Sequence, residues 1–253
     1  MSNFGFPHLR IVTTYDVPFH DARSAVGAAD LLAAARQFGT LQEAIADCSL
    51  MVGTTAVGQR ELQHPLHGLE AAGSLIRAHL ADVLPVAQSS KLIDQISDPS
   101  IHLSSDRSPK VGRVALLFGS EKTGLSRADL SHCHWLLRIP TRAEHRSMNL
   151  GQAVALCLYE IIRDSERAQT RAPEQERASS QAATAAELDR LTVLLLQTLE
   201  ASHYIQGDAN PTTLQKIRRL ILRLDPSSDD TEILLGMLRQ LLWKLSRTSP
   251  PDA

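Results

Sequence analysis

The feature that most constrains this chain is a segment with nothing to bury. From Asp164 to Glu187 the sequence reads DSERAQTRAPEQERASSQAATAAE, without a Leu, Ile, Val, Phe or Met. Such a stretch cannot offset the entropy of ordering it into a core. It therefore reads as a solvated linker, reinforced by Pro173 and by the pair Ser179 and Ser180, although its Ala, Glu, Gln and Arg allow part of it to be helical. The chain divides accordingly into a domain over residues 1–163, a linker over 164–187 and a C-terminal unit over 188–247.

The two sides of the linker differ in period. Before it, short apolar or β-branched runs end in turn residues: HLRIV near Leu9, SLMVGTT near Val52, RVALLFGS near Leu116 and LLRIP near Leu137. Helix-like stretches lie between them at Ala28 to Phe38, Leu41 to Cys48 and Gly68 to Leu80. Strands alternating with helices predict an α/β domain with a mostly parallel sheet covered on both faces. His20 to Gly27 and Ser97 to Lys110 are polar and read as loops. After the linker the period is helical throughout. Leu188, Leu191, Leu195 and Leu199 form one stripe, Leu214, Ile217, Leu220, Ile221 and Leu224 a second, and Leu234, Leu238, Leu241 and Leu245 a third. Three amphipathic helices predict a small all-α bundle, with Pro211 starting the second helix and Asp225 and Pro226 stopping it.

Composition removes several function classes. Lys+Arg 26 against Asp+Glu 28 leaves no global positive field, so any nucleic-acid contact must come from a local patch. Cys48, Cys133 and Cys157 are odd in number and far apart, which argues against a disulfide framework or a thiolate zinc site and for a reducing, cytoplasmic setting. The ten histidines show no metal-ligand spacing, so no metal is expected. No apolar run approaches the roughly 18 residues that span a bilayer, so no membrane partner is expected.

Two segments could carry chemistry. The first is Leu117 to Ser126, LFGSEKTGLS, a glycine-bearing turn directly after an apolar strand, where a ligand can approach the backbone closely. It is not a P-loop, since Gly124 is followed by Leu125, and it is not a dinucleotide fingerprint, since Ser120 and Glu121 follow Gly119. Its plainer reading is a strand-to-helix turn with Ser126 capping a short helix around Arg127 to Leu130. The second is Ile139 to Leu150, IPTRAEHRSMNL, a polar loop before the apolar segment Gly151 to Ile162. Ser147 and Asn149 there could present donors and acceptors at a helix start, or either could simply be its N-cap.

Taken together these segments resemble the SpoU family of RNA 2'-O-ribose methyltransferases, the SPOUT class. ALLFGSEKTGLS is similar to the family's strand followed by FG-x-E-x-x-GL, and LLRIPTRAEHRSMNLGQAVALCLYE to its third motif. Val52 to Ala56 resembles a further strand end lining the cofactor pocket. The C-terminal sequences ATAAELDRLTVLLLQTLEASHYI and LQKIRRLILRLDPSSDDTEILLGMLRQL resemble the helical extension of the branch that modifies the ribose of nucleotide 32 in the tRNA anticodon loop.

The resemblance implies a deep trefoil knot at the C-terminal end of the α/β domain. It also implies S-adenosyl-L-methionine held by three loops, with Thr54, Thr55, Ala56, Gly119, Gly124, Leu125, Ile139, Arg146, Ser147 and Met148 as the binding positions. Glu121, Ser147 and Asn149 match polar family residues around the transfer site. The helix Leu150 to Ile162 would pack in a homodimer, a plain buried helix being the alternative. For the C-terminal unit we expect Lys216, Arg219 and Arg223, on the face opposite Leu214, Ile217, Ile221 and Leu224, to contact tRNA phosphates, or else to be a solvated face. Motif one of the family, an Asn-x-Gly loop and a helix carrying an arginine that activates the 2'-hydroxyl, has no counterpart in these 253 residues. We expect translation to start upstream of Met1 and the chain as written to be poorly soluble or to turn over slowly, by an order of 10²-fold or more. The rival expectation is a non-catalytic RNA-binding or dimerisation protein that retains the knot.

Overall fold

The structure, a computed structural model, describes residues 1–13, 27–56, 64–83, 112–142, 144–145, 148–163, 181–205 and 210–248. The 164–180 part of the expected linker, the polar stretch 97–110, residues 20–26, Arg146 and Ser147 lie outside the described residues. After a single 3-10 turn at Ser2–Phe4 come β1 (Arg10–Val12), α1 (Ala29–Ala33), β2 (Arg36–Phe38), α2 (Leu41–Ile45), β3 (Cys48–Thr54), β4 (Leu66–Gly68) and α3 (Leu69–Val83). Then follow β5 (Arg113–Leu117), α4 (Arg127–Leu130), β6 (Trp135–Arg138), α5 (Leu150–Ile162), α6 (Ala185–Ala201), α7 (Pro211–Leu224) and α8 (Ser228–Thr248).

The main sheet is parallel, in the order β4-β6-β3-β5. Its centre is β3, buried from Cys48 to Gly53, as a strand covered on both faces must be. Strands β1 and β2 pair parallel as a separate ribbon. Asp47 ties the ribbon to the sheet: its carboxylate accepts from Arg10 Nη2 at 2.8 Å and also pairs with Arg113, at the start of the edge strand β5. The Arg10 guanidinium holds the Asp47 carboxyl well below the usual carboxylate range.

Alternate residues along the strands feed two cores. On one face Leu50, Val52 and Leu137 meet Ala72 and Ile76 of α3 and Cys157, Leu158 and Ile161 of α5. On the other, Met51, Leu117 and Leu136 meet Leu188 and Leu191 of α6, Ile217, Ile221 and Leu222 of α7, and Leu235 of α8. The C-terminal helices thus form the second layer that a parallel sheet requires.

That packing corrects several expectations. The segment read as unable to join a core contributes Ala183 and Ala185 to it, and Ala186 N–H donates to the Ala46 carbonyl at 3.1 Å. Small side chains let α6 start close against α2, with Thr184 and Glu187 closing a capping box. The helix expected from Ala28 to Phe38 stops at Ala33, because Arg36 to Phe38 find a strand partner in β1. Cys48 opens β3 rather than closing a helix. In α7, Leu220 and Leu224 point outward while Arg218 and Arg219 are buried; in α8, Leu234 and Leu241 are exposed. Those apolar stripes are rotated because α7 is wedged between α6 and the α/β layer instead of sitting in a closed three-helix bundle. The starts and stops of α7 are as expected: Pro211 in the first turn behind the Asn210 cap, and Asp225 ending it with φ 47°.

Candidate functional site

Because the strands run parallel, their carboxyl ends share one edge, and β3 has a neighbour on each side: Gly53 lies opposite Leu117 of β5, and Thr54 opposite Leu137 of β6. Open α/β sheets bind ligands at such an edge. The Thr54 hydroxyl donates to the Leu117 carbonyl at 2.9 Å, and Thr55 N–H to the Leu137 carbonyl at 3.0 Å, so these two residues hold the three strand ends together. Ala56 is exposed beyond them, and Ile139 is half-buried at the end of β6.

The loop after β5 folds back on itself. Gly124 N–H donates to the Ser120 carbonyl at 2.8 Å, and the Ser120 and Thr123 hydroxyls are 2.7 Å apart. Gly124 has φ +68°, with open space where a Cβ would stand, whereas a Cβ on Gly119 would lie 2.0 Å from the Gly124 carbonyl carbon. Leu125 is buried, anchoring the loop, and Ser126 with Asp129 caps α4 as the sequence predicted.

Two sequence motifs meet at Glu121. Its Oε1 accepts from Leu150 N–H at 3.3 Å and from Asn149 Nδ2 at 3.5 Å. Asn149 is the N-cap of α5, its Oδ1 accepting from Gly151 N–H at 2.9 Å and Gln152 N–H at 3.3 Å. A carboxylate at a helix start is favoured by the unpaired N–H groups and the positive end of the dipole. Met148 is half-buried directly before this cap. Of the expected site residues, Thr54, Thr55, Gly119, Glu121, Gly124, Leu125, Ile139, Met148 and Asn149 therefore lie on the loops and caps at the ends of β3, β5 and β6.

The C-terminal trio does not share one surface. Lys216 and Arg223 are exposed, but Arg219 is 8% exposed and donates from Nη1 to the Cys133 carbonyl at 2.9 Å. Its neighbour Arg218 pairs with Asp189 at 2.8 Å and donates to Ser131 Oγ at 3.1 Å. Sequence reading also passed over Asp47, whose arginine partners lie 37 and 66 residues away and leave no local signal.

Titratable groups elsewhere are built to stay neutral. Burial pushes the Cys48 and Cys133 thiols up to about 12 and Cys157 to about 11, far from thiolate chemistry. Burial also lowers His64, His132 and His134 to about 4. Among the described residues no cluster of His, Cys, Asp or Glu could hold a metal ion, and no helix is long and apolar enough to cross a membrane.

Comparison with known proteins matches the SpoU rRNA Methylase family to residues 1–159. The tRNA (cytidine/uridine-2'-O-)-methyltransferase TrmJ of Yersinia pestis (strain Pestoides F) is 30% identical over 243 residues, 95% of this chain and 83% of the relative. The protein of the same name from Klebsiella pneumoniae subsp. pneumoniae is also 30% identical, over 95% of this chain and 87% of its own length. The crystal structure of TrmJ from Z. mobilis ZM4 superposes with a TM-score of 0.70 at 26% identity, covering 95% of this chain and 89% of that one.

Proposed function

The chain belongs to the SpoU rRNA Methylase family, and from that premise we propose that it methylates the 2'-hydroxyl of ribose in tRNA, at nucleotide 32 of the anticodon loop, using S-adenosyl-L-methionine. The observation that carries this reading is the meeting of the two motif loops at Glu121, beside the strand ends joined by Thr54 and Thr55. The loops fit such a cofactor. Gly119 lets the loop close on its own backbone at Gly124 and Leu125, and Gly124 leaves open space on its Cβ side, so a flat base can rest there against peptide rather than side chains.

When bound, the cofactor supplies an electrophilic methyl on sulfonium sulfur. The protein's work is then alignment and proton removal. Thr54, Thr55, Ala56, Gly119, Gly124, Leu125, Ile139, Arg146, Ser147 and Met148 hold the cofactor in this reading, with the loops threaded as the family's trefoil knot. Glu121 and Asn149 fix the start of α5 relative to the loop after β5, and with Ser147 they present polar groups to the ribose.

Helix α5 has one buried side and one that leaves Leu156 and Tyr159 exposed, with Phe4 against Tyr159. A second copy covering that side accounts for an apolar surface of this kind. Lys216 and Arg223, exposed on α7, are the phosphate-contacting candidates that remain on the surface.

The test is transfer of labelled methyl from S-adenosyl-L-methionine to tRNA, run for hours so that slow turnover registers, with the label mapped by nuclease digestion. Label on the 2'-oxygen of nucleotide 32 supports the assignment. Label on a base overturns it, and cofactor binding without transfer favours the non-catalytic RNA-binding reading.

A further inference from the structure

The longest helix among the described residues leaves one side uncovered. Helix α8 turns Thr231, Leu235, Leu238, Leu242 and Leu245 toward α6, yet Ile233 is 57%, Met237 58% and Leu241 54% exposed on its other side, with Leu234 beside them. Asp230, Leu234, Met237, Leu241 and Lys244 recur at spacings of four and three, the pattern of a helix seam that packs against another helix. The charges along α8 are segregated: Asp229, Asp230 and Glu232 stand in the first turns, and Arg239, Lys244 and Arg247 in the second half.

We propose that this face is a self-association surface, on which α8 of a second copy of the chain lies antiparallel about a two-fold axis at Met237. Three features argue for that occupant. An antiparallel copy places acidic end against basic end twice, whereas a parallel copy would set like charges side by side. Counting outward from Met237, the two-fold sets Ile233 opposite Leu241 and Asp230 opposite Lys244, so apolar meets apolar and acid meets base. The Lys244 end of the second helix would then lie over a cleft of about 310 Å³, lined by Leu224, Asp225, Pro226, Asp230, Ile233 and Leu234. The two carboxylates and apolar walls of that cleft match a lysine head and its methylene stem. A phosphate backbone, by contrast, would meet carboxylates there. The seam from Asp230 to Lys244 is about 21 Å long, at 1.5 Å per residue, and buries less area than a standard interface, so association through it is expected at micromolar concentration.

The full chain carrying Met237→Cys tests the register directly, because the three native cysteines are buried and do not compete. Mild oxidation at about 50 μM is expected to convert most of it to a covalent dimer. Leu241→Cys alone should not pair with itself, since its two copies would stand roughly 12 Å apart along the axis, beyond disulfide reach. Ile233→Cys combined with Leu241→Cys should crosslink. The contact is separate from α5, and the crosslink reads it whether or not α5 also pairs. Failure of Met237→Cys to crosslink, equal self-pairing by Leu241→Cys, or protection of the new thiol by tRNA without any crosslink would each overturn the proposal.

Discussion

The Arg219 guanidinium donates to the main-chain carbonyl of Cys133 at 2.9 Å, from a position with only 8% of its surface exposed. This bond seats α7 on the residues just before β6, so the C-terminal helices and the sheet share one core. A hydrogen bond from a charged donor contributes roughly 1.5–3 kcal/mol, and its loss leaves a buried carbonyl unsatisfied. Arg219→Ala should therefore lower the thermal midpoint by several degrees, in one transition that includes sheet and helices. Lys216→Ala should leave the midpoint unchanged. Equal melting of the two variants would show that Arg219 does not hold the layers together.

Lys216 and Arg223 should behave in the opposite way, affecting RNA and not stability. Removing both charges should weaken tRNA binding and flatten its salt dependence by roughly 0.7–0.9 in slope per lost phosphate contact. An unaltered slope would make both residues part of a solvated face.

Stability should fall on acidification well before the carboxylates titrate. His132 is buried beside Arg218, and burial lowers it from 6.5 to about 4. Between those values the unfolded chain binds a proton that the native state does not, so unfolding free energy rises with pH across this window. The stabilisation is complete above about pH 6.5 and is lost progressively down to about pH 4, on the order of 3 kcal/mol for this residue. Denaturant titrations at pH 7 and pH 5 should show the loss, and His132→Asn should reduce it. A native state equally stable at both values would contradict the burial argument.

Strands β1, β3, β5 and β6 and the two motif loops were legible because their signals are local: an apolar run, a glycine turn, a cap. Ser126, Asn149, Pro211 and Asp225 all stand where the sequence placed a helix boundary. What escaped depended on distant partners. Arg36 to Phe38 become a strand through pairing with Arg10 to Val12. Arg219 looked like a surface cation because helical spacing gives a side chain's face but not which faces are covered. Leu220 and Leu224 were misplaced for the same reason, since α7 buries a wedge against two neighbours rather than one stripe. Ala183 and Ala185 were discounted because composition measures hydrophobic mass and overlooks close approach by small residues.

The glycine turn gives the sharpest mutational handle on the site. A single Cβ on Gly119 would meet the backbone of Gly124 and Leu125 at 2.0 and 2.2 Å, so the loop must move. Gly119→Ala should then disturb the loop while the helices remain.

Calorimetric titration of S-adenosyl-L-methionine into the wild-type chain and into Gly119→Ala, with circular dichroism confirming equal helix content, tests the central claim most directly. The account predicts one site per chain in the wild type and at least tenfold weaker binding in the variant. No binding by a folded wild-type chain, or the same affinity in both, would contradict the placing of the cofactor against the loops at the ends of β3, β5 and β6.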